Sequence, residues 1–184
     1  MSRPRHGAER RRLVDSGVSP LRRAPICGMS RSDPELLTRW MAEALKEARL
    51  AAIEGEVPVG ALVVREGEVL GRGRNRREAN GDPLAHAEME AITDAREAVS
   101  GWRFDGCTMV VTLEPCAMCA GALVNARFDR LVFGAHDPKA GFCGSLGDLV
   151  RDPRLNHRLE VITGVGAEAS GELLKSFFAA LRKI

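Results

Sequence analysis

The chain predicts an α/β fold in three layers, α/β/α, with helices on both faces of a central mixed five-stranded sheet. Three observations predict it. Five short apolar runs, at 59–64, 69–74, 108–113, 130–133 and 159–162, are rich in Val, Leu and Ile and are mostly flanked by turn-forming or charged residues. Segments with apolar residues at helical spacing lie before, between and after these runs. Strands that alternate with helices bury both faces of one sheet.

Each element has its own local cause. Ser32-Asp33-Pro34-Glu35 has the form of a capping box, and Leu37, Met41, Ala44, Ala48 and Ala52 follow at helical spacing. Pro58 breaks that helix ahead of the first strand, 59–64. Glu66-Gly67 turns the chain into a second strand, 69–74. Asn80-Gly81-Asp82-Pro83 is a loop and a helix start, so a helix is expected over about 84–99. The third strand, 108–113, delivers Pro115 to a helix that carries Cys116 and Cys119, with Pro115 placed at its start. A fourth strand at 130–133 is followed by a Gly-rich loop, 134–147, and a short helical turn. A fifth strand at 159–162 precedes a closing helix over 167–183, with Leu173, Leu174, Phe177, Phe178 and Leu181 on or near its apolar side. The chain contains no internal repeats.

At 184 residues, 45% of them hydrophobic, the chain can bury one sizeable core. No apolar run is long enough to span a membrane. Five cysteines without regular pairing argue against a disulfide framework and for a reducing, cytoplasmic setting. Charge is uneven. Residues 1–28 carry seven Arg against Glu9 and Asp15, whereas 29–184 hold 20 basic and 23 acidic residues. The overall +2 therefore comes from the leading segment, and charge alone gives the rest no claim on nucleic acid. Two regions follow: a basic extension at 1–28, expected to be disordered and dispensable, and a catalytic domain at 29–184. An RNA-touching arm, a targeting peptide and a true start at Met29 remain open for the extension.

Chemistry concentrates in two short stretches, His86-Ala87-Glu88 and Pro115-Cys116-Ala117-Met118-Cys119. One imidazole and two thiolates form a three-ligand zinc set with the fourth tetrahedral position left for water. The two thiolates balance the charge of the ion, and neutral His86 adds none. Glu88, two residues from His86, stands where a proton carrier is needed. A Cys-x-x-Cys pair alone fits a redox pair or half of a structural site equally well. A structural site wants four protein ligands, however, and Cys27, Cys107, Cys143 and His136 each stand singly. His86 and Glu88 would diverge in mid-helix and can converge only at a helix start, so two helix N-termini are expected to aim at one metal.

The His-x-Glu and Pro-Cys-x-x-Cys pair resembles the signature of the zinc-dependent nucleobase deaminases. Further stretches carry the likeness. VPVGALVV from Val57, GRGRN from Gly71, DPLAHAEMEAI from Asp82, VTLEPCAMCAGAL from Val111, VFGAHDPKAG from Val132, GSL from Gly144, LNHR from Leu155 and LLKSFF from Leu173 resemble the bacterial tRNA-specific adenosine deaminases, within the cytidine deaminase-like fold. The likeness runs from about residue 36 to 182.

That resemblance implies hydrolytic deamination of adenosine to inosine at the wobble position, 34, of a tRNA anticodon. It implies one zinc ion per subunit on His86, Cys116 and Cys119, with Glu88 as the catalytic proton shuttle. It implies that Asn75 and the backbone around Ala87 hold the flipped nucleoside, and that Asp137, Lys139 and an aromatic of the Phe177-Phe178 pair, Phe178, contact the RNA. The implied partners are the anticodon stem-loop, of an arginine tRNA with an ACG anticodon, and a second copy of the chain in a homodimer. The residues alone leave other readings open. Asn75 and Asp137 could serve turns, Phe177 and Phe178 the core, and Arg74, Arg76 and Arg77 a solvated edge or a phosphate grip. His157 reads as a loop histidine, and Cys107 and Cys143 as small buried residues. Two rival functions share the motif: a zinc deaminase of a free nucleobase or nucleotide (guanine, cytosine or deoxycytidylate), and a zinc-stabilised binding module without activity.

Overall fold

The computed structural model describes residues 33–182. The expected boundary at 28/29 and the proposed cap Ser32 lie outside them. The chain runs α1 (Pro34–Ile53), β1 (Gly60–Arg65), β2 (Glu68–Arg74), α2 (Arg77–Asn80), α3 (Ala87–Ala95), β3 (Cys107–Leu113), α4 (Ala117–Asn125), β4 (Arg130–Ala135), β5 (Glu160–Thr163) and α5 (Ala167–Leu181). The five strands form one sheet in the order β2-β1-β3-β4-β5. β1 pairs antiparallel with β2 and β3, while β3, β4 and β5 run parallel, so the sheet is mixed.

Alternation along the strands builds the three layers. Leu62, Val64, Val110 and Val132 face α1, where they meet Leu37, Trp40, Met41, Ala44 and Leu45, and Leu173 of α5 packs on the same side. Ala61, Val63, Met109, Val111, Leu131 and Phe133 face the other way, onto Ala87, Ala91 and Ala95 of α3 and Ala120, Leu123 and Val124 of α4. The small residues of α3 let it sit close to the sheet. A Cβ added at Gly73 would lie 2.2 Å from the Ala87 carbonyl oxygen, and one at Gly71 2.5 Å from that of Ala91. Glycine at these positions fixes how near α3 comes to β2, Gly73 at its start and Gly71 toward its end.

Several boundaries differ from the sequence expectation. α1 begins one residue later than the capping box suggested: Asp33 is the N-cap, and its carboxylate accepts from the Glu35 N–H at 3.0 Å. Pro115 lies outside α4, whose N-cap is Cys116 in extended conformation. α3 spans nine residues rather than sixteen and is shorter at both ends: Pro83 and Leu84 form a turn and His86 is extended at the N-cap, while the helix stops at Ala95 and residues 96–98 form a turn. Arg77–Asn80 forms a short helical turn that the apolar pattern did not signal, closed by Gly81 at φ 59°. α5 is only half packed: Ser170 is its one fully buried residue, and Phe178 and Leu181 are exposed.

Candidate active site

Two helix starts meet at the C-terminal end of β3. His86 caps α3 with φ −77° and ψ 154°, and Cys116 caps α4 with φ −70° and ψ 175°. Neither side chain caps its own helix, so both are free to point at a common locus. Cys119 lies in the first turn of α4 on the same side. The His86 Nδ1 is 3.7 Å from the Cys116 Sγ and 3.6 Å from the Cys119 Sγ. The ligand atoms of all three lie within 4.8 Å of one another.

This spacing fits a tetrahedral cation. Bonds of about 2.3 Å to sulfur and about 2.0 Å to nitrogen, opened to a tetrahedral angle, set sulfur and nitrogen about 3.5 Å apart. The protonation of the trio points the same way. The neighbouring Cys119 thiol, against the cost of burial, brings the Cys116 thiol down to about 3, and the same contact together with burial pushes Cys119 far up. Cys116 in turn raises the His86 imidazole above its ordinary value. Two thiolates this close repel each other, and a divalent cation between them removes that conflict. The three side chains could therefore hold a metal ion.

Glu88, the second residue of α3, is 4% exposed and reaches the same locus. Burial, and secondarily the charge on Cys116, pushes its carboxyl above the ordinary range. A carboxyl so placed can both accept and return a proton.

A cleft of about 200 Å³ opens onto this group. Val57, Val59, Asn75, Arg77, His86, Ala87, Glu88, Leu113, Glu114, Cys116, Asp137 and Ala140 line it. Asn75 is buried, and its Nδ2 donates to the Glu56 carboxylate at 3.1 Å. Glu56, 1% exposed, also accepts from the Ala79 N–H at 2.8 Å. Asp137 accepts from the N–H groups of Lys139 and Ala140, forming a tight turn at the rim.

Comparison with known proteins defines the chain's kinship. A family model described as MafB19-like deaminase matches residues 37–182. The tRNA-specific adenosine deaminase of Bacillus subtilis (strain 168) is 49% identical over 144 residues, covering 78% of this chain and 89% of that protein. The tRNA-specific adenosine deaminase of Aquifex aeolicus (strain VF5) is 45% identical over 143 residues, covering 78% and 94%. The chain belongs to the tRNA-specific adenosine deaminase family. A solved structure from work on A-to-I editing by tRNA:A34 deaminases at the wobble position aligns with TM-score 0.72 and 42% identity, covering 74% of this chain and 99% of that one. Guanine deaminase from Nitrosomonas europaea shares the fold more distantly, with TM-score 0.64 and 25% identity over 77% of this chain and 84% of its own.

Within this deaminase fold the structure gathers His86, Ala87, Glu88, Cys116, Asn75 and Asp137 around one cleft, with Cys119 behind it. Lys139 and Phe178 do not line it. Lys139 is exposed beyond the Asp137 turn, and Phe178 is 44% exposed on α5, edge-to-face with Phe177 at 5.5 Å. Of the arginines after β2, Arg74 is taken up by Glu47 and Glu54 at 3.1 and 2.7 Å, whereas Arg77 lines the cleft. His157 bonds the Phe128 carbonyl, and Cys107 and Cys143 are buried. Sequence reasoning missed two buried carboxylates, Glu56 and Glu114. Glu56 adjoins the stretch that starts at Val57 and Glu114 lies inside the one that starts at Val111, and that placement was the only available signal. Among the described residues no helix is long and apolar enough to cross a membrane.

Proposed function

We propose that the protein is a cytoplasmic tRNA adenosine deaminase that hydrolyses adenosine 34 of an anticodon to inosine. It uses one zinc ion per subunit, held by His86, Cys116 and Cys119. The observation that carries this reading is the three-ligand cluster with a buried glutamate beside it, in a chain up to 49% identical to proteins of that activity.

The reaction adds water across the ring and expels ammonia. Bound zinc supplies Lewis-acid polarisation that makes water nucleophilic at neutral pH. Glu88 takes one proton from the attacking water and passes it to the purine N1, then takes the second from the new C6 hydroxyl and gives it to the departing amine as the C6–N bond breaks. Burial of Glu88 suits it to these transfers, because its raised carboxyl holds a proton more readily than an exposed acid. Asn75 and the Ala87 backbone at the cleft wall orient the flipped base. Asp137 accepts from a ribose hydroxyl, and Lys139 and Phe178 extend the contact along the RNA, outside the cleft. The substrate is the anticodon stem-loop of an arginine tRNA with anticodon ACG, bound by a homodimer. A single-stranded loop suits the small cleft, since the target base must leave the stack to enter.

A second reading, deamination of a free nucleobase or nucleotide such as guanine, cytosine or deoxycytidylate, draws on the resemblance to guanine deaminase at 25% identity. The higher identity to the tRNA enzymes favours RNA. Sequencing the wobble position of cellular tRNA with and without this protein tests the proposal. Inosine that vanishes on deletion supports it. Unchanged inosine, with turnover of free bases by the purified protein, reverses it.

A further inference from the structure

Glu114 sits between β3 and the ligand Cys116, and its side chain is fully enclosed. One oxygen accepts from the N–H groups of Cys143 and Ser145, each at 3.0 Å. The other accepts from the Asp137 N–H at 3.1 Å and from the Ser145 hydroxyl, and lies 3.1 Å from the His136 Nδ1. Burying a carboxylate is costly unless several donors converge on it. Here the donors belong to one loop, 136–145, which contains no strand or helix of its own.

The loop is folded around this anion. Gly141 approaches so closely that a Cβ there would lie 2.4 Å from the Glu114 carboxyl carbon. Two further ties hold the same loop to the ligand turn: a backbone bridge between Cys116 and Gly141, and the Phe142 N–H donating to the Pro115 carbonyl at 2.9 Å. The loop supplies Asp137 and Ala140 to the cleft. We infer that Glu114 is a positioning residue, the buried anion that fixes loop 136–145 as the RNA-facing wall of the cleft and so sets where Asp137 meets the substrate.

This inference rests on the wobble-deaminase reading, and the test separates the two. Steady-state deamination of a wobble-adenosine stem-loop RNA is measured for zinc-loaded wild type, Glu114→Gln, Ser145→Ala, Asp137→Ala and the double variant Glu114→Gln/Asp137→Ala, with zinc content determined for each. Glu114→Gln keeps the shape but turns an acceptor into a donor facing N–H groups. It should raise KM about tenfold or more, the worth of one charge-assisted hydrogen bond, while kcat stays within about threefold and zinc is retained. Ser145→Ala removes a single donor, shifts KM in the same direction by less, and carries the test if Glu114→Gln fails to fold. The double variant should raise KM no further than the larger single change, because both act through the placement of Asp137. Wild-type turnover with KM unchanged in Glu114→Gln and Ser145→Ala overturns the inference alone. So does full additivity in the double variant, or loss of zinc and kcat together in Glu114→Gln. A wild type that makes no inosine from the RNA overturns the functional reading and this inference with it.

Discussion

At the scale of single residues, the cluster of His86, Cys116 and Cys119 with Glu88 beside it was legible because its chemistry is local. Few residue types bind zinc, and two short spacings, one of two residues and one of three, bring three of them and an acid to helix starts. Glu114 and Glu56 were not legible, because a buried carboxylate is satisfied by backbone N–H groups, which every residue type except proline supplies. The donors to Glu114 lie 23 to 31 residues away. Two outcomes follow. Cys116→Ala should lose both bound zinc and activity, since two remaining ligands hold the ion weakly, and elemental analysis beside an inosine assay checks it. Acid stability should depend on Glu114. Burial alone would raise its carboxyl, but the hydroxyl and N–H of Ser145, with the Asp137 and Cys143 N–H groups, hold it at about 2 against an ordinary 4.5. Folded below unfolded means the stabilisation is complete above about 4.5 and is lost as pH falls from there toward 2. Denaturant melts from pH 6 to 3 should therefore show wild type losing its advantage over Glu114→Gln, and a constant gap would contradict this.

At the scale of elements, strands and long helices were readable and their ends were not. The five strands follow from β-branched apolar runs, and each lies within about two residues of its expected limits. α3, expected over about 84–99, is shorter at both ends; at its start periodicity does not register the extended conformation of His86, which is what turns its imidazole toward Cys116. The four-residue α2 has no buried residue and so left no apolar trace. The closeness of β2 to α3 makes Gly73 a structural test. Gly73→Ala must push Ala87, and with it His86 and Glu88, away from the sheet. It should destabilise the fold by about 1–3 kcal/mol, as overpacked cores do, and lower activity as well. Chemical melts and a deamination assay on one preparation measure both. At the far end of the fold, Asp33→Ala should cost about 1 kcal/mol through the lost cap and leave catalysis unchanged.

At the scale of the whole molecule, the sheet explains why the site lies where it does. β3 ends at Leu113, and the chain passes Glu114 and Pro115 into the α4 cap, while β2 feeds Asn75 to the opposite wall. One strand thus carries a ligand turn and the anion that shapes the loop across from it. Alternation of strands and helices sufficed to read the three layers, but no pattern along one chain reports a second copy. The proposed homodimer predicts sedimentation at twice the 19.9 kDa chain mass, and a monomer at working concentration would contradict it. The proposed reaction depends most on a metal held by three protein ligands beside an acid that moves protons. Its most direct test is Glu88→Ala, assayed for bound zinc and for inosine in the anticodon stem-loop of the same sample. One zinc per chain and a loss of activity of about 10³-fold or more are expected. Inosine formed at the wild-type rate would contradict the role given to Glu88.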